Sequence, residues 1–280
     1  MLQENPFKGA RLVLAEMPYP IAHPAAVLPL VRPLGRYAVL PALVIGSIVP
    51  DLWYFVPLAT RELSHSPEGL FVFSAPLGLI LYWLFHVLLK EPLIALLPAA
   101  AAARLAPLAA PGLPAHRWRT VVLCLLAGAV THLAWDSFTH EEGVIVEKFP
   151  AFEAQIFAIG SYPVRVYQLL QHASTLLGSA FVCWRAWRAF KRLPAGKAEV
   201  EVFSVKTRLL IIAALAAVSA AWAELDAVLP QTLDPLSLRG VLRSVGLDAA
   251  QALVVGVLAY CAATTWLLGR SRASRSPAGR

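Results

Sequence analysis

The sequence predicts an all-α protein, a polytopic transmembrane helical bundle of about six spans with short re-entrant or interfacial helices. Of its 280 residues, 58% are hydrophobic and 15% are charged, and the mean hydropathy is +0.64. A soluble domain is typically about 45–50% apolar and about 25% charged. The apolar residues also gather into stretches of about 20, the length that crosses a bilayer as a helix. The expected spans are residues 39–58, 70–89, 119–138, 163–184, 209–229 and 249–268.

Two shorter apolar segments contain several prolines and are not expected to be regular spans. Pro92–Ala110 combines three prolines with an alanine run, which favours a surface-lying or re-entrant piece. Pro18–Leu34 contains four prolines after its first residue, and each removes a backbone donor and clashes with the preceding turn of a helix. His23 lies in this second segment and reaches the other polar residues only if Tyr19–Leu34 dips into the bundle.

Composition divides the chain into four expected regions. They are a polar-site membrane domain with about four spans (1–192), a cytoplasmic linker (193–208), a two-span hairpin (209–269) and a disordered basic tail (270–280). Met1–Glu16 has no apolar core before a small-residue cleavage site, so no secretory signal peptide is expected.

The basic residues predict the orientation. With the N-terminus in the cytoplasm and six spans, 19 of the 24 Lys and Arg residues fall on the cytoplasmic side. The positive-inside rule then predicts a bacterial cytoplasmic (inner) membrane protein with both termini in the cytoplasm. This asymmetry accounts for the net charge of +7, so membrane lipids rather than nucleic acid are the expected partners. The oligomeric state is not predicted.

Ionisable residues inside the expected spans point to a site, because such residues cost a few kcal/mol to insert. His132, Asp136 and His140 are spaced four apart and form one stripe on a helix face. His and Asp are ordinary zinc ligands, and a metal ion would neutralise the buried carboxylate. The predicted metal ligands are His23, Asp51, His65, His132, Asp136 and His140, with His172 as a further candidate.

Simpler roles compete with this interpretation. A single intramembrane histidine more often packs or hydrogen-bonds than binds a metal, and we interpret His86 and His116 in that way. Asp136 could instead cap a helix or pair with His132. His172 could belong to an interhelical polar seam with Gln168 and Thr175.

Several short motifs resemble those of an uncharacterised bacterial family of multi-pass membrane proteins, known only as a domain of unknown function. The resemblance covers roughly residues 18–190 and implies membership without an activity. The motifs are His23-Pro24-Ala25-Ala26, Gly46-Ser47-x-x-Pro50-Asp51, His65-Ser66 and Thr131-His132-x-x-Trp135-Asp136-Ser137-x-Thr139-His140.

A more distant resemblance is to inner-membrane metal-dependent hydrolases and to zinc-dependent phospholipase C. It implies a divalent metal site, of the zinc type, that acts on phosphoesters, with the six residues above as ligands. Asp51 or Asp136 would then be the catalytic general base. The chain departs from that pattern because no second His-x-x-x-Glu pair is evident, and Leu176 stands four residues after His172.

The expected function is metal-dependent hydrolysis of a phosphoester or lipid-linked substrate near the outer face of the membrane. The chain has no GxSxG, SxxK or GxxxxGK motif, which argues against serine-hydrolase and nucleotide-phosphate chemistry. The alternative is a non-enzymatic protein, either a metal or proton transporter or a scaffold, whose His/Asp cluster conducts ions or holds helices together. Ligation of haem by two histidines is a third interpretation.

Overall fold

The computed structural model describes residues 21–55, 59–109, 112–114, 117–159, 162–194, 203–228 and 238–275. The chain is mostly helical and divides into two compact units. One unit comprises residues 1–79 and 117–185, and the other comprises residues 80–116 and 186–280. This division differs from the four regions expected from composition, whose boundaries stay a prediction.

Short helices open the chain and long helices close it. The α-helices are α1 (Pro24–Val27), α2 (Val31–Leu34), α3 (Leu40–Gly46), α4 (Arg61–Ser64), α5 (Pro67–Gly69), α6 (Ala75–Leu84), α7 (Lys90–Ala95), α8 (Ala99–Ala109), α9 (Trp118–Thr139), α10 (Val144–Lys148), α11 (Pro150–Glu153), α12 (Val166–Arg192), α13 (Val205–Val228) and α14 (Leu238–Arg275). Three 3₁₀ turns lie at Leu28–Leu30, Gly35–Tyr37 and Val49–Tyr54, and π-helical turns at Leu70–Ser74 and Phe85–Leu89 join α5, α6 and α7.

Four stretches of helix among the described residues are long and apolar enough to cross a membrane. They match the expected spans 70–89, 119–138, 209–229 and 249–268, which confirms the multi-pass helical character. The expected spans 39–58 and 163–184 are not among them. The four are Pro67–Ala95, Trp118–Thr139, Val205–Trp222 and Ala249–Leu267.

Residues 39–58 do not form one helix, contrary to the sequence prediction. α3 has Pro41 in its first turn and ends at Gly46, and Pro50 then opens the 3₁₀ turn Val49–Tyr54. Proline is tolerated in a first turn but not in a helix interior, so two prolines nine residues apart divide the segment into two short helices. A hydropathy window registers the apolar composition and misses this break.

Residues 23–51 run along α9 and back, and we call them the N-terminal hairpin. His23 stacks on His132 near one end of α9. At the turn of the hairpin, the Cys124 thiol donates to the Tyr37 carbonyl at 3.3 Å. Since Cys124 lies eight residues before His132 on α9, the hairpin extends about 12 Å along the helix before it returns to Asp51. His23 thus reaches the other polar residues.

Small residues let α3 lie directly against α9. A Cβ atom added at Gly128 would collide with the backbone of Leu43 and Ser47, and one added at Gly46 would collide with the backbone of Leu125. Ala42 and Leu43 are fully buried in this contact. Close backbone approach through small residues is the usual packing mode of membrane helices.

A β-hairpin was not anticipated by the all-α prediction. Gln155–Ile159 pairs antiparallel with Tyr162–Arg165, in a register that matches Phe157 with Val164. The second strand leads directly into α12, where the Gln168 side chain accepts a hydrogen bond from the Arg165 N–H at 2.9 Å. The expected span 163–184 therefore begins as a strand and continues as a 27-residue helix.

The second unit is built from α7, α8, α13 and α14, together with the end of α12. α13 and α14 pack on one another. The two-span hairpin of residues 209–269 stays a prediction. Tyr260 on α14 donates a hydrogen bond to the Pro92 carbonyl at 2.8 Å. α14 continues to Arg275, into the segment expected to be a disordered tail, and residues 276–280 lie outside the described residues.

The contact between α3 and α9 should not tolerate a larger residue. We expect Gly128→Ala to destabilise the protein by about 1–3 kcal/mol, because the added methyl group meets backbone atoms that cannot move aside. The thermal unfolding midpoint in detergent measures this effect. Gly256→Ala is the matched control, since its methyl group meets only the end of the Leu215 side chain. Equal midpoints for the two variants would contradict the proposed packing.

Candidate metal centre

Six residues predicted from the sequence meet at the end of α9. They come from four parts of the chain that are far apart in sequence, so the fold alone brings them together. They are His23 before α1, Asp51 in the turn Val49–Tyr54, His65 after α4, His132 and Asp136 on α9, and His140 just beyond α9.

The buried face of α9 changes character along its length. In its first half this face carries Val121, Cys124, Leu125, Gly128 and Ala129, and then it continues with His132 and Asp136. All of these follow the helical repeat, so the two polar residues occupy positions equivalent to the apolar ones. The site therefore lies above a dry, packed section of the same helix face.

Two capped helices hold His65 in place. Thr60 caps α4, and Ser66 caps α5 by accepting a hydrogen bond from the Gly69 N–H at 3.0 Å. His65 is the residue that ends α4 and directly precedes the Ser66 cap. The His-Ser pair of the sequence thus places an imidazole in the short connection between two helices.

Four of the six residues bring one ligand atom each to a common point, and we call this the four-ligand position (Asp51, His65, His132, Asp136). The four atoms lie within 4.8 Å of one another. The Nε2 atoms of His65 and His132 are 3.3 Å apart. His65 Nε2 is 3.5 Å from Asp51 Oδ1 and 3.4 Å from Asp136 Oδ2, and His132 Nε2 is 3.4 Å and 3.3 Å from the same oxygens.

These distances fit tetrahedral coordination of zinc. Zn–N and Zn–O bonds are about 2.0–2.2 Å, and a regular tetrahedron with bonds of about 2.1 Å has edges of about 3.4 Å. Five of the six edges of the four-ligand position measure 3.3–3.5 Å. Two imidazole nitrogens and two carboxylate oxygens also suit a transition ion, whereas Mg²⁺ and Ca²⁺ take oxygen ligands. The residues therefore fit a divalent ion of the zinc type.

Backbone carbonyls orient both imidazoles of the four-ligand position. His132 Nδ1 lies 2.8 Å from the Ser47 carbonyl oxygen, and His65 Nδ1 lies 3.2 Å from the Arg61 carbonyl oxygen. A carbonyl only accepts, so Nδ1 carries the hydrogen in each ring and Nε2 presents its lone pair to the carboxylates. This outer-shell arrangement is typical of histidines that bind metals.

The carboxylates of Asp51 and Asp136 are buried and poorly satisfied. Asp51 Oδ2 and both oxygens of Asp136 accept no hydrogen bond from the described residues, although imidazoles lie within ion-pair distance. The ligand oxygens of the two residues lie within 4.8 Å of each other, where two negative charges repel by at least about 3 kcal/mol at an effective dielectric constant of about 20. A divalent cation between them removes both penalties.

His65 and His140 differ in how readily they hold a proton. Burial lowers the pKa of His65, but the carboxylates of Asp136 and Asp51 outweigh burial and raise this pKa above 6.5. A proton and a metal ion therefore compete for its Nε2 atom. Burial lowers the pKa of His140 below 6.5, so this ring is neutral at pH 7, which is the form that binds metals.

A small cleft opens onto the cluster from the side of α12. Its volume is about 10 Å³, the space of one water molecule or ion. Trp135 donates a hydrogen bond to Ser174 at 3.3 Å across it, and the side chains of Gln171 and His140 approach to 3.2 Å. The lining residues are Ala22, His23, Trp135, Asp136, Thr139, His140, Gln171, Ser174 and Thr175.

His172, the further candidate ligand, is not part of the cluster. It is exposed on α12, and the neighbouring residue Gln171 is buried and contacts His140 instead. The prediction drew on the polar run from Gln168 to Thr175 and chose His172 from it rather than Gln171. The helical phase of α12 relative to α9 decides between adjacent residues, and one sequence does not contain that phase. His86 is buried in the second unit, and His116 lies outside the described residues.

A family model described as "Domain of unknown function (DUF4184)" matches residues 17–262. The chain belongs to this family. The match includes all six residues of the cluster and confirms that the chain belongs to a family known only as a domain of unknown function, while the predicted motifs of that family stay a prediction. No curated protein and no solved structure matches the chain. The similarity to metal-dependent hydrolases and phospholipase C stays a prediction.

The geometry of the four-ligand position predicts a tightly held divalent ion. Protein purified in detergent should contain at least one equivalent of such an ion, measured by inductively coupled plasma mass spectrometry. We expect His132→Ala and Asp51→Asn to lower metal affinity by at least about 100-fold, because each removes a direct ligand. His172→Ala is the matched control and should keep the metal content of the wild type. Metal-free wild-type protein that also fails to take up added zinc would refute the site.

Proposed function

We propose that this protein is a membrane-embedded, metal-dependent hydrolase that acts on a phosphoester or lipid-linked substrate. The observation that supports this proposal most strongly is the four-ligand position. There, two imidazoles with oriented Nε2 atoms face two buried carboxylates at zinc-like distances. When bound, a zinc-type ion supplies Lewis-acid polarisation of a substrate oxygen and lowers the pKa of water.

The protein's own residues have distinct roles in this proposal. His65 and His132 hold the ion through Nε2, and the backbone carbonyls of Arg61 and Ser47 keep the rings in place. Asp51 and Asp136 supply the negative charge that retains the ion. With one ion bound, the oxygen of either carboxylate that faces away from it can serve as general base. The apolar section of α9 below His132 closes the site on one side, so the cleft is the route by which a substrate reaches it.

A lipid-linked substrate is supported by the surroundings of the cleft. Gln171, Ser174 and Thr175 offer polar groups to a headgroup. Phe138 and Leu170 nearby on α9 and α12 are exposed apolar residues that a bilayer would cover. A substrate whose polar head lies at the mouth of the cleft can keep its chains in the membrane. The proposal therefore favours a phospholipid or polyprenyl phosphate over a free, water-soluble ester.

Basic residues support a site at the outer side of the cytoplasmic membrane. α12 begins beside the site and extends 21 residues beyond Gln171, about 31 Å and thus roughly one bilayer thickness, so we propose that it crosses as well. The segments around the site, residues 59–69 and 140–165, hold only three basic residues, Arg61, Lys148 and Arg165. The opposite ends of the N-terminal hairpin, α9 and α12 hold more, namely Arg32, Arg36, Arg117, Arg119, Arg185, Arg188, Lys191 and Arg192. The positive-inside rule places these residues in the cytoplasm.

This arrangement supports the predicted cytoplasmic C-terminus, but it does not support the predicted cytoplasmic N-terminus. The basic residues after Gly269 keep the C-terminus in the cytoplasm. In the proposed orientation His23 lies at the outer end of α9, so a cytoplasmic N-terminus requires that residues 1–20 cross the bilayer. Those residues lie outside the described part of the chain, and the cytoplasmic N-terminus stays a prediction.

Ion transport fits the described residues less well than hydrolysis. A proton or metal pathway needs polar groups across the membrane, yet the buried face of α9 below His132 carries neither a carboxylate nor an imidazole. A purely structural cluster would satisfy its own hydrogen bonds, and here three buried carboxylate oxygens accept none from the residues that the structure describes. Haem is disfavoured because the His23 and His132 rings stack at 3.9 Å, which leaves no room for a porphyrin between them.

Hydrolysis should be detectable with lipid phosphoesters. Zinc-loaded protein in detergent or liposomes is incubated with phospholipids and polyprenyl phosphates, and the release of phosphate or headgroup is measured. We expect activity that falls at least about 100-fold in His132→Ala, because a direct metal ligand is lost. His172→Ala should retain it. Metal-replete wild type that hydrolyses none of these substrates but moves zinc across liposome membranes would favour transport instead.

Cysteine labelling tests the side of the site. Glu147 is exposed on α10 next to the site, and Arg117 is exposed at the start of α9. We expect Glu147→Cys to react with a membrane-impermeant maleimide in intact bacteria, and Arg117→Cys to react only after lysis. The parent protein, with its three native cysteines, gives the background. The opposite labelling pattern would place the site on the cytoplasmic side.

A further inference from the structure

We propose a second metal position beside the first, formed by His23, His140 and the outward oxygens of Asp51 and Asp136, which then bridge two ions. This inference rests on the proposed four-ligand position and adds a second metal position next to it. Asp51 Oδ1 and Asp136 Oδ2 face His65 and His132. The other two oxygens, Asp51 Oδ2 and Asp136 Oδ1, lie 3.8 Å and 3.7 Å from His23 Nε2.

The oxygens that face His23 need a cation of their own. Asp51 Oδ2 and Asp136 Oδ1 are buried and accept no hydrogen bond from the described residues. An ion in the four-ligand position satisfies only the opposite oxygen of each carboxylate. Because a carboxylate has two oxygens, each able to bind a metal, one ion on each side satisfies both residues. Ions in two-metal sites lie about 3.5–4 Å apart, a spacing that bridging groups allow.

His23 is positioned as a ligand rather than as a surface residue. It is 4% exposed, and its ring stacks on His132 at 3.9 Å with an edge contact to Trp135 at 6.0 Å. Its Nδ1 atom is buried and makes no hydrogen bond to any residue that the structure describes. These ring contacts hold the imidazole with Nε2 toward both carboxylates. Hydrogen bonds of His23 alone do not account for this orientation of the ring.

His140 completes the second position through Nδ1, which lies 3.4 Å from Asp136 Oδ1. Its Nε2 atom lies 3.2 Å from the Gln171 amide nitrogen, and Thr139 Oγ1 lies 3.1 Å from Nδ1. In this arrangement the Gln171 amide donates to the ring and Nδ1 carries the hydrogen. Rotation of the Gln171 amide, which exchanges its nitrogen and oxygen, would let Nε2–H donate and would free the lone pair on Nδ1 to bind a metal.

The two positions differ in access and in fit. The cleft is lined by His23, Asp136 and His140 of the second position, whereas His65 and His132 are not among its lining residues. The distances around His23, 3.7 and 3.8 Å, are longer than the 3.3–3.5 Å edges of the four-ligand position. The second position is therefore the looser one and the one that meets a substrate, and it should exchange its ion first.

Metal stoichiometry and electron paramagnetic resonance test this inference. Protein dialysed against zinc should bind two equivalents, of which a mild chelator removes one much faster than the other. His23→Gln and His140→Gln should bind one equivalent, while His172→Gln, the matched control, should bind two. With Mn²⁺ as the probe, the wild type should give the spectrum of an exchange-coupled pair, and His23→Gln the spectrum of a single ion. Circular dichroism and gel filtration establish that the variants remain folded.

The outcomes separate this inference from the proposed function. One equivalent in the wild type, unchanged in His23→Gln and lost in His132→Ala, overturns the second position and leaves the four-ligand position intact. No bound metal in the wild type overturns both. If His23→Gln fails to fold, the wild-type Mn²⁺ spectrum decides alone, because an uncoupled signal at saturation excludes a bridged pair.

Discussion

The close approach of two buried carboxylates is the constraint on which the first unit depends. Asp51 and Asp136 lie 2% and 5% exposed, with ligand oxygens within 4.8 Å of each other. Without positive charge between them, this arrangement costs more than most single interactions in a protein supply. The surrounding imidazoles neutralise the pair only when protonated, whereas the carbonyls on Nδ1 leave each Nε2 free for a metal. The site is therefore organised around a cation.

A membrane around the apolar helices would explain why the surrounding fold takes its form. His23 and Asp51 are the two ends of the N-terminal hairpin, and both must lie at the same end of α9. If the segment between them crossed the membrane completely, one of the two residues would lie on the opposite side. Prolines and short helices turn the N-terminal hairpin back after about 12 Å. Gly46 and Gly128 let it pack against α9 closely enough to bury its irregular backbone. Such backbone is tolerated at membrane depth only where protein covers it.

Composition and spacing predicted part of this arrangement. Four helices followed from hydropathy, and the pairing of His132 with Asp136 followed from their four-residue spacing. The break at Pro50 was missed because a hydropathy average records how apolar a segment is, and not whether its backbone continues as one helix. The β-hairpin was missed because its strands are short and adjoin a long helix. Gln171 was missed because a single sequence does not reveal which side of α12 faces α9. The first two failures concern local structure, whereas the third concerns tertiary placement.

A structural cluster and a reaction centre make opposite demands on buried polar groups. A cluster that holds helices together is most stable when each donor meets an acceptor and water is excluded. Here the carbonyls of Ser47 and Arg61 satisfy the outer nitrogens of the imidazoles, while Asp51 Oδ2 and both oxygens of Asp136 accept no hydrogen bond from the part of the chain that the structure describes. The packed half of α9 closes one side, and the cleft beside Gln171 opens the other. Precise support around an unsatisfied, accessible centre is the pattern that binding and catalysis require.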